Sequence, residues 1–311
     1  MNSKQIPQKI KKVLRELKID NPTLLGKGGE GYVFNFKKDT VIKIYDHADE
    51  KYLQSLEKLQ TFIADKKLPF AIPQILEIGK VDGIYYDIEK KLDGVLMEDK
   101  FPTLLAKEKF KLLKSYYEAI KALNTIEVPD LPYGNIVEIP YKLNDQTWPG
   151  FLIKMLNYKL EVAGQRVAKD VTDFDSKVKL LTDVIKKELV IEKKSFVHAD
   201  YFVNQVLVNE QNEISAVLDI SSHAVAGDPR LDAAGVFFFE GMKHYKKEHI
   251  KFLTNLAVQD YGESILKYND IYRLYYCFYF SEVHTFMPEW YQTLIRNLND
   301  EEIWERINNY H

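Results

Sequence analysis

Residues 196–208 read FVHADYFVNQVLV: short apolar runs enclosing a histidine, an aspartate, an asparagine and a glutamine. Packing alone gives no reason to put His198, Asp200, Asn204 and Gln205 in one turn between hydrophobic segments. Transfer of a phosphoryl group to a hydroxyl does give one. It needs a carboxylate to receive or orient the hydroxyl proton, and oxygen donors to hold magnesium on a nucleotide. Asp200 is the candidate base. Gln205 or Asn204 supplies a neutral amide oxygen for the metal. The segments QVLVN and ISAVLDI, turned at EQNE, form a hairpin that returns Asp219 to the same cleft as the charged metal ligand. His198 reads as a brace for the loop.

Further upstream, Gly26, Gly28 and Gly31 in GKGGEGYVF fit the spacing G-x-G-x-x-G-x-V. In a dinucleotide fold such a loop opens a helix, whereas YVFNF continues here as a strand, which implies a hairpin lid over nucleotide phosphates. A Walker loop is excluded, because no GK is followed by Ser or Thr. One strand later, VIKIY puts the ammonium of Lys43 among apolar neighbours, a costly position without an anionic partner. Nucleotide phosphates are such a partner. In the kinase arrangement an acid on the following helix steadies the lysine; Glu57 in SLEKLQTF is the candidate, with Glu50 the alternative.

The remaining pattern predicts two lobes. Ile6, Ile10, Val13, Leu14 and Leu17 recur at helical spacing in the basic opening, which should lie on the domain as a short helix. Strands and turns fill the region up to residue 92, apart from one helix over 49–65. PQILEIG and GIYYDIEK form the last pair of strands there. Beyond LDG at 92–94, FPTLLAKEKFKLLKSYYEAIKAL, WPGFLIKMLNYKLEVAGQRV and residues 174–190 carry helical periodicity, with a Pro-rich loop, VPDLPYGNIVEIPY, between the first two. The chain from Asp232 onward also reads as helix. An α+β protein is expected, with a sheet-rich lobe at 1–92 and a helical lobe at 93–311.

With 311 residues, 46% of them apolar, the chain can bury a sizeable core. It has no apolar run long enough to span a bilayer and no secretory leader, so a cytoplasmic protein without a membrane partner is expected. The first 20 residues hold six Lys/Arg against two Asp/Glu, leaving 37 against 44 in the rest. That acidic body argues against a nucleic-acid partner. The single cysteine, Cys277, excludes an internal disulfide and cysteine-clustered metals, and its setting in LYYCFYF reads as core.

Taken together, HADYFVNQVLV and AVLDISSHAVAGDPRLDAA resemble the signature of the aminoglycoside phosphotransferase family, H-G-D-L-x-x-x-N followed by a hairpin and D-F-x-x-x-x-x-G-D-P-x-x-D. The resemblance extends to the glycine loop, to Lys43, to IEKKLDG as the hinge and to EAIKALNTIEVPDLPYGNI. It implies a bilobal protein-kinase-like fold and a magnesium-dependent small-molecule kinase using ATP or GTP. The base of the nucleotide would sit against the backbone near Ile88 to Leu92, including Lys90 and Leu92. Five positions depart from the pattern. Gln205 stands where the family's metal-binding asparagine is, Asn204 at the small residue before it, Ile220-Ser221 after Asp219, and Asn124 in place of a histidine after Leu123. Some relatives resembling the 2″-phosphotransferases carry Asn-His at the first two.

Only ISSHAVA separates Asp219 from Gly227-Asp228-Pro229, too short for the activation segment of a protein kinase. A small-molecule acceptor follows, and the resemblance implies a cationic aminoglycoside. Other antibiotics such as macrolides, and metabolites such as choline, homoserine or a sugar, are alternatives. Candidate acceptor contacts are Asp228, Asp232, Glu240, Glu282, Glu289 and Trp290. A monomer is expected. Gln205 and Ile220-Ser221 also motivate a different reading, a catalytically silent nucleotide-binding module.

Overall fold

A computed structural model describes residues 6–235, 244–285 and 287–310 of the chain. The fold is α+β and bilobal, of the protein-kinase-like type, with an antiparallel sheet in the smaller lobe and a larger helical lobe.

The opening helix, α1 (Gln8–Glu16), buries Ile10, Val13 and Leu14 at the spacing that puts them on one face. That face covers Phe34, Ile42, Ile44 and Ile88 on one side of the sheet, while Lys9 and Lys12 turn outward to Asp46 and Asp82. Each such apolar side chain contributes about 1.5–3 kcal/mol of transfer free energy before ordering costs. The sheet consists of β1 (Leu24–Lys27), β2 (Gly31–Lys37), β3 (Thr40–Tyr45), β4 (Ile75–Val81) and β5 (Ile84–Lys90), in the order β1-β2-β3-β5-β4. Alternation along β3 sends Ile42 and Ile44 toward α1 and Lys43 and Tyr45 to the opposite face. There they meet α2 (Glu50–Ala64), whose first turn is capped by the Asp49 carboxylate accepting from the Tyr52 N–H at 2.8 Å.

In the larger lobe the long helix starts at Ala106, later than its periodicity suggested. Pro102 confines the preceding residues to a short 3₁₀ turn, and the Glu108 carboxylate then accepts from the Leu105 N–H at 2.8 Å to start the helix. Part of the Pro-rich loop is in fact a strand, Tyr133–Asn135, paired with Val225–Gly227. Helices Trp148–Asp170, Phe174–Glu188, Ile265–Tyr279, Pro288–Leu298 and Glu301–Tyr310 enclose the main core, where Cys277 and most of the YRLYYCFYF stripe are buried. A second core runs from Tyr52, Leu53 and Leu56 of α2 through Leu112 and Tyr116 to Tyr201, Val206 and Ile220, so the segment 198–205 rests on a continuous apolar bed. Among the described residues no helix is long and apolar enough to cross a membrane.

Directly across from Lys43 in the β3/β5 register is Asp87. Its carboxylate accepts from the Tyr45 hydroxyl at 2.5 Å, but its other oxygen has no partner and the side chain is fully buried. Burial, and then the charge of Glu89, push its carboxyl well above the usual range. An acid raised in the fold costs stability as the pH climbs from the unfolded carboxyl value toward the folded one. Asp87→Asn should therefore raise the unfolding free energy more at pH 8 than at pH 4, measured by urea denaturation at both.

Candidate active site

The stretch 198–205 is held by backbone donors and one buried acid. After strand Ser195–Val197, Ala199 adopts a positive φ of 59°, an uncommon conformation for a residue other than glycine. Two hydrogen bonds fix the kink: the N–H groups of His198 and Ala199 donate to Asp232 at 3.0 and 2.9 Å. Asn124 donates to the same carboxylate at 2.8 Å and to the Phe196 carbonyl at 3.1 Å, bracing it from the helix Ala106–Asn124. The His198 ring donates from Nε2 to the Leu218 carbonyl at 2.9 Å and accepts the Asp200 N–H on Nδ1 at 3.3 Å. Tyr116 and Tyr201 stack and exchange hydroxyl-to-carbonyl bonds of 2.8 Å, fastening the loop to the same helix.

This framework brings Asp200 and Asp219 together. The Gln205 amide nitrogen donates to Asp200 Oδ2 at 3.2 Å and to Asp219 Oδ2 at 3.3 Å. The hairpin supplies the closure: Leu218 N–H donates to the Gln205 carbonyl at 2.7 Å, and Asp219 follows at a positive φ of 52°. Burial first, then the nearby Asp219 charge, push the Asp200 carboxyl well above its usual range. Asn204 is exposed.

Lys43 closes the cluster from the other lobe, its Nζ 3.6 Å from Asp219 Oδ1. Its nearer partner corrects the expectation of Glu57. Glu30 of the glycine loop accepts from Lys43 at 2.8 Å, while Glu57 is half-buried and makes no hydrogen bond or ion pair among the described residues. The alternative, Glu50, is exposed and accepts only from Gln54. The reason is the phase of α2: it is Tyr52 that faces the cluster, donating its hydroxyl to Glu30 at 2.6 Å. Burial raises the Glu30 carboxyl, but the Lys43 charge and hydrogen bond and the Tyr52 hydroxyl outweigh it and hold the group at about 2. An acid inside a supposed phosphate lid was the available signal for Glu30, since it repels the expected ligand.

The glycines divide. A Cβ on Gly31 would lie 2.2 Å from the Ile44 carbonyl, so that glycine is required by packing of β2 on β3. Gly26 and Gly28 face open space, where protein packing does not require glycine. Lys90 and Leu92 lie at the end of β5, where the chain passes into the larger lobe.

Three of the acids expected to receive a cationic acceptor are already bonded within the protein. Asp228 is buried against Arg230 at 2.7 Å and the Tyr272 hydroxyl at 2.5 Å, and Asp232 is spent on the loop. Glu282 pairs at 2.6 Å with Lys159, whose ammonium also sits 4.7 Å from the Tyr279 ring. Glu289 is exposed, and Trp290 packs edge-on against Phe202. Glu240 lies outside the described residues. His223 and Tyr141 escaped sequence reasoning here. His223 bonds the Tyr279 hydroxyl at 2.8 Å, its protonation disfavoured by burial and then by Lys159, and Tyr141 stacks on Tyr158 at 5.0 Å.

Comparison with known proteins decides the family. The phosphotransferase enzyme family matches residues 23–254, more than half of the chain. This chain belongs to that family. Among solved structures, a thermostable mutant of aminoglycoside phosphotransferase APH(4)-Ia is similar at 19% identity and TM-score 0.66, with 93% of this chain and 97% of that one covered. ADP-bound aminoglycoside phosphotransferase APH(2″)-Ib follows at 17% identity and TM-score 0.61, covering 92% and 96%. Macrolide 2′-phosphotransferase type I is similar at 13% identity and TM-score 0.59, covering 94% and 98%. A search of curated proteins finds no match.

For this phosphotransferase-family chain, the Gly-Asp-Pro segment now has a structural reason. Gly227 lets the Trp148 ring approach to where a Cβ would be 2.2 Å away, and Trp148 Nε1 donates to the Tyr272 hydroxyl that bonds Asp228. Asp232→Ala strands three buried donors, and should lower the unfolding free energy by about 2–4 kcal/mol in urea denaturation.

Proposed function

We propose that this protein transfers the γ-phosphoryl group of ATP or GTP to a hydroxyl of a small molecule, as a cytoplasmic monomer. The reading rests on one observation: Asp200 and Asp219, from separate segments, meet across the Gln205 amide beside Lys43 and the glycine loop. Fold relatives in complex with streptomycin and ATP, with ADP, and with GDP and kanamycin support a nucleotide as donor.

The donor set fits magnesium. The Gln205 amide nitrogen sits where two carboxylate oxygens converge, and rotating that amide by half a turn aims its oxygen into the same space. Magnesium takes few protein ligands and completes its shell with water and phosphate oxygens, so Asp219 and Gln205 suffice. When bound, the ion offsets phosphate charge. Lys43 binds the α/β-phosphates, the loop at Gly26 and Gly28 covers them with backbone N–H groups, and the main chain from Ile88 through Lys90 to Leu92 lies along the base. Asp200 accepts the hydrogen bond of the acceptor hydroxyl and takes its proton.

Family likeness makes an aminoglycoside the leading acceptor. A specific observation favours a second class, hydroxyl compounds with few amines, such as a macrolide. Among the described residues, Asp228 and Asp232 are buried and bonded within the protein and Lys159 neutralises Glu282, which leaves Glu289 as the exposed acid of the set. A coupled nucleotide-turnover screen with aminoglycosides, macrolides, choline, homoserine and sugars separates the two. Turnover with none of them, alongside intact nucleotide binding, favours the silent module.

Two outcomes are expected with the acceptor so found. Asp200→Asn should cut kcat by about 10²- to 10⁴-fold while leaving nucleotide affinity nearly unchanged in calorimetry; equal loss of both contradicts the role. The carboxylate form of Asp200 is the active one and its folded value is raised. The acid limb of kcat/KM against pH should therefore lie above the usual carboxylate range, with turnover falling as pH drops through it.

A further inference from the structure

Glu30 meets three donors from three segments of the chain. Its Oε2 accepts from Lys43 Nζ of β3 at 2.8 Å, and its Oε1 accepts from the Tyr52 hydroxyl of α2 at 2.6 Å and from Ser222 Oγ of the larger lobe at 3.1 Å. Asp219 Oδ1 stands 3.6 Å from the same ammonium, and Lys43 lies 4.9 Å from the Tyr45 ring. Charged and hydroxyl donors converging on one anionic oxygen pair suit a phosphate oxygen as well as they suit a carboxylate.

We propose that Lys43 Nζ, Tyr52 hydroxyl and Ser222 Oγ form a phosphate-oxygen subsite for which the Glu30 carboxylate and the nucleotide compete, which makes Glu30 the residue that sets nucleotide affinity. The inference rests on the reading of the cleft as a nucleotide site and adds to it Tyr52 and Ser222 as phosphate contacts. A triphosphate seated on Lys43 would place its charge beside the Glu30 carboxylate, a repulsive arrangement in a partly dry site, so the side chain leaves as the phosphate arrives. The loop has room to let it go, since Gly26, Gly28 and Gly29 carry no close contact where a side chain would begin. The Ser222 bond gives this exchange a second effect. It ties the glycine loop to the segment following Asp219, one contact between the lobes that is released when the phosphate replaces Glu30.

The opposite reading, in which Glu30 stays to orient Lys43, predicts the opposite sign. Calorimetric titration of non-hydrolysable ATP and GTP analogues with magnesium is the test, on wild type, Glu30→Gln, Glu30→Gly, Glu30→Gln/Tyr52→Phe and Glu30→Gln/Ser222→Ala. Both single variants should bind about tenfold more tightly, and each double variant should give back about threefold or more of that gain. Circular dichroism checks that each is folded. The glycine variant guards against a glutamine that cannot satisfy the donors. Equal or weaker binding by folded Glu30 variants overturns the inference while leaving the nucleotide reading intact. Absence of nucleotide binding in wild type and every variant overturns both.

Discussion

One neutral amide lies between two carboxylates, and the rest of the site is arranged around that contact. Asp200 and Asp219 repel each other across a partly buried cleft, and the Gln205 NH₂ group, 3.2 and 3.3 Å from them, is the positive pole that separates them. Such a pair is stable only if the backbone carrying it is held independently of the charges. Here it is. The Asp232 carboxylate fixes the start of the loop through three donors, His198 ties it to Leu218, and the hairpin bond from Leu218 to Gln205 returns Asp219 to the cleft. Two positive-φ residues, Ala199 and Asp219, sit at its two ends. Backbone strain at these positions is sustained by the surrounding hydrogen bonds, as expected where geometry serves chemistry.

The smaller lobe contributes a single buried cation and its counter-charges. Burial alone would lower the Lys43 ammonium, but Glu30, Tyr45 and Asp219 raise it well above its usual value, so it stays charged. The lysine thus couples the sheet, the glycine loop and the Asp219 carboxylate in one electrostatic unit. For Asp87, across the register from it, burial and then the charge of Glu89 outweigh Lys43 and push the carboxyl well above its usual range. What separates the two is the number of opposite charges within reach.

Much of this was legible from residue types and spacing. The strand after the glycine loop, the lysine one strand later and the hairpin returning Asp219 are local patterns, and local patterns follow from period and turn chemistry. The partner of Lys43 was not legible, because choosing Glu57 required the rotational phase of α2 against the sheet. That phase is set by Leu53, Leu56 and Leu59 seeking the core, and it turns Tyr52 to the cluster instead. The acceptor acids failed for a related reason. Composition does not reveal whether a carboxylate is open to a ligand or already bonded; Asp232 is needed by the kinked loop and Asp228 by Arg230 and Tyr272. Asn124 stands where the resemblance led us to expect histidine, and its amide braces Asp232 from the helix end.

Thermal unfolding with a non-hydrolysable nucleotide, with and without magnesium, in wild type and Asp219→Asn, tests most directly whether the two carboxylates serve a metal-bound phosphate. Ligand that binds only the folded chain raises the melting temperature in proportion to its affinity. The account predicts a stabilisation in wild type that depends on magnesium and is largely lost in Asp219→Asn. Stabilisation of the same size with or without the ion, or in both proteins alike, would contradict it.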